Sequence, residues 1–466
     1  MHLAEELSRR SAALRFENLP PQAVHWAKVG ILDTIGVTVA GSMEPAARIL
    51  GKVVAPAAGA SLVFGAAERT SALDAALING TAAHALDFDD CNNTLGGHPS
   101  APILPALFAL ADERATDGRA FITAYVAGFE TECKLALGVN FHHYMKGWHA
   151  TATLGVHGAA VAACHLMRLD VRRAATALAI ASSLASGIKA NFGTMTKPLH
   201  VGHCARNGLF AALLAEQDFT ANAGAFEHKQ GFLDVFNGPG TYDIGRVLAH
   251  WGAPFDIVAP GIAIKQYPCC GSTHPALDVM LDLVRRHDLA PDKVARIDCW
   301  THARRLEHTN RPDPQGGLEA KFSVQYCLAR ALTDRAIRVE HFEDDAVGDP
   351  AVRAILPRVH ADAYTTAQFP ADNHFGAEVK VTTVDGEVFA GKIDQALGRT
   401  SADPVPAVRL REKFENCIGR ALPGPRATAL ADMVERLDTL ADMRALSALL
   451  AAAQPVELGQ VVAARR

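Results

Sequence analysis

The chain has 466 residues, 49% of them hydrophobic and 20% charged, with a net charge of −5. That composition describes a soluble globular protein, too long for one ordinary core, so two domains are expected. Lysine and arginine are spread along the chain without a basic run, which argues against nucleic acid or an acidic membrane surface as partner.

The N-terminus lacks the basic head and apolar core of a secretion signal. From Pro21 to Ala40 apolar residues recur at helical spacing (Val24, Ala27, Ile31, Leu32, Ile35), and Gly41 suits a helix C-cap. Leu73 to Ala85 reads as a second helix. It leads into a dense polar stretch, His84-Ala-Leu-Asp87-Phe-Asp89-Asp90-Cys91-Asn92-Asn93-Thr94-Leu-Gly96-Gly97-His98-Pro99-Ser100. Carboxylates, imidazoles and a thiol are crowded here between Ala-rich apolar segments, where a solvated loop would carry Lys, Glu and Ser. Ala101 to Asp112 follows as a buried helix whose prolines, Pro102 and Pro105, fit in or near its first turn. Ser100 then falls near the N-cap and His98 just outside the positive end of the helix, a place suited to a carboxylate.

Further helices are expected at 101–113, 119–137, 151–168, 172–188 and 203–217, Ala- and Gly-rich and able to pack closely. Trp148 to Met167 has no acidic or basic residue besides histidine, yet its His, Thr, Ala and Gly content makes it a buried helix rather than a membrane span. Three polar clusters interrupt this half. They are His142-His143-Tyr144-Met-Lys146-Gly-Trp148-His149, then Thr196-Lys197-Pro-Leu-His200, then Lys265-Gln-Tyr267-Pro-Cys269-Cys270 with Ser272 and His274 close behind. Each stands at the mouth of a helix, so backbone donors and side chains can converge on one site.

After about Lys265 the character changes. Ala295 to Thr301 alternates like a strand, and Glu378 to Phe389 reads as two strands joined by an Asp385-Gly386 turn. Lys321 to Thr333 between them reads as a helix. Segment 397–406 is a linker, and 407–453 returns to amphipathic helix whose natural place is back on the bundle. The expected fold is mainly α: a large, discontinuous all-α domain (1–265 and 397–466) with a smaller α+β domain (266–396) inserted. The nine cysteines are odd in number and show no C-x-x-C. They predict reduced thiols in a cytoplasmic protein and offer no grouping for an iron–sulfur cluster.

His-Ala-Leu-Asp-Phe-Asp-Asp, His-Pro-Ser-Ala-Pro-Ile-Leu-Pro-Ala, Gly-Trp-His-Ala-Thr, Thr-Lys-Pro-Leu-His and Lys-x-Tyr-Pro-x-Cys together resemble the signature of the MmgE/PrpD family. Many members carry Thr where Cys91 stands. The resemblance implies a homodimer of the architecture just described and chemistry on small carboxylic acids. Its activities are dehydration of 2-methylcitrate, decarboxylation of cis-aconitate or epimerisation of iminodisuccinate. By motif match it carries site roles to Asp87, Cys91, His98, His149, Lys197, Lys265 and Tyr326.

The residues themselves favour carbon-acid chemistry. Charge that develops next to a carboxylate must be offset by cations or helix N-termini, and protons must be moved to or from carbon. His98, His149, Lys197, Asp87 and Tyr144 are therefore the expected catalytic residues, and Lys265, Tyr326, Cys91 and Ser100 the expected substrate contacts. Lys197 is expected as an unpaired cation in a cleft. Neither a cofactor nor a metal is expected: His84, Asp87, Asp89, Asp90 and His98 are ligands by type, but Asp-x-Asp-Asp matches no tetrahedral or EF-hand spacing. His287-Asp288 could hint at a metal phosphohydrolase, but it lies in a charged surface run. The leading expectation is a 2-methylcitrate dehydratase-like hydro-lyase. Epimerisation or cis-aconitate-type decarboxylation are the alternatives within the family, and a metal-dependent hydrolase or a non-catalytic carboxylate-binding protein outside it.

Overall fold

The computed structural model describes residues 2–54 and 57–452; residues 453–466, assigned above to the returning helical segment, lie outside them. The protein is mainly α. Pro21–Gly41, Ala72–Ala85, Ser100–Glu113, Gly118–Val139, Gly155–Leu166, Val171–Leu184 and Thr196–Glu216 are helices. They pack on one another around a large apolar core that includes Ile31, Leu104, Phe121, Phe129 and Leu178. The same core takes in Phe414, Leu430 and Leu446, from helices Ala407–Ile418, Gly424–Glu435 and Arg444–Leu450. Lys413 Nζ, on the first of these, lies 2.6 Å from the buried Asp33 of Pro21–Gly41.

Several boundaries depart from the sequence reading. The helix expected from 203 opens at Thr196, so Lys197 lies within its first turn rather than in the preceding loop. The 151–168 segment is two pieces, Ala150–Thr153 and Gly155–Leu166, broken at Leu154. Pro105 lies inside its helix, where buried packing on every side outweighs the hydrogen bond its ring removes. No helix among the described residues is long and apolar enough to cross a membrane.

A second apolar core gathers Leu277, Met280, Ile297, Leu328, Val379 and Val381. Among the described residues, apart from a two-stranded ribbon, β1 (Ser61–Leu62) with β2 (Arg69–Thr70), the sheet structure is one four-stranded sheet. Its strands are β3 (Val294–Thr301), β4 (Val359–Ala363), β5 (Ala377–Thr383) and β6 (Val388–Ile393), in the order β4-β3-β5-β6. β3 pairs parallel with β4 and antiparallel with β5, and β5 and β6 form the hairpin expected at Asp385-Gly386, where Gly386 takes φ 89°. β5 alternates strictly: Ala377, Val379, Val381 and Thr383 are buried. The period-2 pattern thus gives the sheet one apolar face, and helix His274–His287 lies against β5 and β6.

Candidate active site

The site starts from one aspartate. Helix Ala72–Ala85 ends at Leu86, and Asp87 takes φ 52°, the left-handed conformation that commonly reverses a chain after a helix and that Asp tolerates better than most residues. Helix Thr196–Glu216 crosses this helix where two glycines meet: a Cβ on Gly80 would lie 2.8 Å from Gly202 Cα. That close approach carries the start of one helix to the end of the other. Lys197 Nζ donates to Asp87 Oδ1 at 2.8 Å. Lys265 arrives by another route. Cys91 and Ala263 exchange backbone hydrogen bonds of 2.8 and 2.7 Å, which ties its segment to the polar loop. Lys265 Nζ then donates to the same Asp87 oxygen at 2.9 Å and to the Asp87 carbonyl at 2.8 Å.

All three side chains are buried. Burial works to raise the Asp87 carboxyl, but Lys197, Lys265 and His98 outweigh it and hold the group well below the usual carboxylate range. Burial likewise opposes the charge on Lys265, and Asp87 reverses that, so its ammonium is held more firmly than in water.

His98 completes the group. Its Nε2 is 3.5 Å from Asp87 Oδ1 and its Nδ1 is 3.1 Å from Asp89 Oδ2. Burial would strip its proton, but Asp89 and then Cys91 raise it to about 10, so His98 is an imidazolium at neutral pH. His84 shares Asp89 at 2.8 Å, yet burial, the largest influence, leaves it neutral, its proton lost at about 3. His149, N-terminal to Ala150–Thr153, is buried among His84, Phe192 and His200 rings and is neutral for the same reason. Cys91 Sγ sits 3.8 Å from the His98 ring; burial raises its thiol, but the His98 charge brings it down to about 7.

Asp87, Cys91, His98, His149, Lys197 and Lys265 line a cavity of about 860 Å³, its open mouth included. Asp87, Cys91, His98, Tyr144, His149, Lys197 and Lys265, all expected from sequence, share its wall. Lys197 is not the unpaired cation expected. Ser100 is not in the lining: it is fully buried, hydrogen-bonded to Asp90 and to Tyr125. Tyr326 is not in the lining either. It lies in the second apolar core, fully buried, its hydroxyl donating to the His341 carbonyl and accepting from Arg330 Nε at 2.9 Å.

Another part of the lining was not foreseen. It consists of Arg304, Arg305 and His308 from helix Ala303–Thr309, Cys270, Gly271 and Ser272, Arg399 from the segment read as a linker, and the rings of Phe141, Phe192, Phe322 and Phe375. Only the Cys270 neighbourhood carried a signal, the polar cluster that begins at Lys265.

His84, Asp87, Asp89 and His98 each offer a donor atom within 4.8 Å of the others, so a metal has to be tested against their chemistry. Asp87 Oδ1 already accepts from two ammonium groups, and His98 is protonated. A divalent cation would therefore stand among three positive charges. The set does not fit a metal.

Comparison with known proteins bears on the whole chain. Residues 5–244 match the model of the MmgE/PrpD N-terminal domain and residues 267–439 that of the MmgE/PrpD C-terminal domain. Among curated relatives, a cis-aconitate decarboxylase of Homo sapiens is 29% identical over 98% of this chain and 96% of its own length. Cis-aconitate decarboxylases of Mus musculus and Aspergillus terreus are 28% and 26% identical, over 94% and 96% of this chain and 91% and 96% of their own lengths. With the two domain matches taken together, the chain belongs to the MmgE/PrpD family.

Proposed function

We propose that the protein is a cofactor-independent lyase that decarboxylates a cis-aconitate-like polycarboxylate. The observation that carries this reading is the convergence of Lys197, Lys265 and protonated His98 on one buried aspartate at the wall of a single cavity. The relatives at 26–29% identity favour decarboxylation over the dehydration that the sequence put first.

The chemistry needs no added electron sink. When the carboxylate on the saturated arm of cis-aconitate leaves as CO2, its C–C bond pair moves into the adjacent alkene. The resulting allylic carbanion is conjugated with a retained carboxylate, which carries the developing charge. Cations fixed at that carboxylate before the reaction stabilise this charge more than the ground state. Lys197, Lys265 and His98 are assigned that role. Asp87, held by two ammonium groups, is a poor base; its role is to aim the lysines.

His98 is assigned as the proton donor to carbon: it lines the cavity, and Asp89, 3.1 Å from its Nδ1, acts to keep it protonated. Cys91 and His149 are placed to shape the site, and Tyr144 to bound the substrate. The discontinuous helical domain with an inserted α+β domain (1–265, 266–396, 397–466) belongs to the same reading, supported by the two separate apolar cores. The homodimer and the cytoplasmic setting rest on the family resemblance and on the nine free cysteines. Turnover of cis-aconitate and of 2-methylcitrate by one preparation tests the assignment: preference for 2-methylcitrate, with formation of an alkene and no CO2, would return it to a hydro-lyase.

A further inference from the structure

The cavity lining carries two arginines, Arg305 and Arg399, with no carboxylate partner; the opposite charge acting on them comes from thiols, Cys270 for both and Cys91 for Arg399. Arg305 is buried, its Nε donating to the His374 carbonyl at 2.6 Å and its Nη1 to Ser272 Oγ at 3.1 Å. Arg399 is partly exposed, and its Nε is buried without a hydrogen-bond partner. Both guanidinium carbons stand over the Phe375 ring, at 4.8 and 4.6 Å from its centroid. Among the described residues neither arginine forms an ion pair. Two neighbouring cations withdrawn from water without a carboxylate cost free energy through desolvation and mutual repulsion, and both effects act to weaken the charge on Arg305, against the Cys270 thiol that acts to hold it. A planar fork with free N–H groups is the geometry that takes a carboxylate through two parallel hydrogen bonds.

Arg399 and Lys265 are close. A Cβ built on Gly271 would lie 3.6 Å from Arg399 Nη1 and 3.7 Å from Lys265 Cε, so guanidinium and lysine stem flank one residue. A short diacid can reach both.

We propose that Arg305 and Arg399, stacked on Phe375, dock a second carboxylate of the substrate while Lys197, Lys265 and His98 hold the first. The inference rests on the polycarboxylate reading above and deepens it. Since CO2 departs uncharged, the carboxylate held by the arginines is one the product keeps. These residues therefore select substrates with two fixed carboxylates and act on KM more than on kcat.

The test is calorimetric titration of the wild type, Arg399→Gln and Arg399→Lys with maleate, a cis-diacid, and with crotonate, which has one carboxylate. Maleate should bind the wild type more tightly than crotonate. Arg399→Gln should weaken maleate at least about tenfold, the size of a lost charge-assisted pair, and leave crotonate nearly unchanged. Arg399→Lys should fall between, and kcat on cis-aconitate should change less than KM. Equal weakening of both acids, or no weakening of maleate, overturns the subsite while leaving the polycarboxylate reading intact. A wild type that binds neither acid overturns that reading and the subsite with it.

Discussion

Lys197 and Asp87 are 110 residues apart in the chain, yet the Lys197 ammonium donates to Asp87 Oδ1 at 2.8 Å in a buried site. The contact depends on two helices meeting through Gly80 and Gly202, and it makes the lysine both a structural partner and a fixed cation at the cavity wall.

Lys197→Ala should lower kcat/KM by about 100-fold, equivalent to ~3 kcal/mol of transition-state stabilisation. Lys197→Arg should rescue little, because a planar fork does not reproduce a compact ammonium. The pairing also revises the expectation from sequence that stability would hardly change: Asp87 keeps Lys265, so unfolding in urea should show a loss of ~1–3 kcal/mol. Normal turnover per folded molecule with a lowered Tm would make Lys197 structural only.

The pH profile follows from His98. Its folded-state proton is held to about 10, so the donor is competent below that pH, and kcat/KM should fall as pH rises through it. Asp89 is the largest influence sustaining that proton against burial. Asp89→Asn should therefore move the falling limb to lower pH, toward the ordinary imidazole value of ~6.5. An unmoved limb would assign the titration to another group.

Tyr326→Phe separates position from motif. The hydroxyl holds the His341 carbonyl and Arg330 inside the α+β core, outside the cavity lining. Its removal should cost ~1 kcal/mol of stability and leave KM for cis-aconitate unchanged. A raised KM at unchanged stability would bring Tyr326 back to the substrate.

What was legible in the sequence is what local pattern encodes. Ala-rich apolar runs marked the helices, Asp385-Gly386 marked the hairpin, and the crowding of Asp87, His98, His149, Lys197 and Lys265 at helix mouths marked one wall of the cavity. Arg305 and Arg399 were not legible. Arg305 sits in Thr-His-Ala-Arg-Arg-Leu-Glu-His, which reads as a solvated face, and Arg399 in a Gly- and Ser-bearing linker. Their burial comes from tertiary packing against Phe375, which no local periodicity reports. The parallel pairing of β3 with β4 depends on a long crossover and was likewise unmarked. Tyr326 was misplaced because a buried hydroxyl with a carbonyl partner looks the same in sequence as one facing a ligand.

Metal removal tests the charge balance at His84, Asp87, Asp89 and His98. Dialysis against EDTA should leave turnover unchanged, since Lys197, Lys265 and the His98 proton already offset the two aspartates. Loss of activity restored by one divalent ion would place a metal on these residues.

The most direct measurement is NMR of purified enzyme with cis-aconitate in deuterated water. One CO2 should be released per molecule consumed, with a methylidene dicarboxylate carrying one deuterium on its saturated carbon, delivered by solvent-exchanged His98. His98→Gln should abolish that product. Hydration of the alkene, or deuterium exchange into cis-aconitate without loss of carbon, would contradict the assignment.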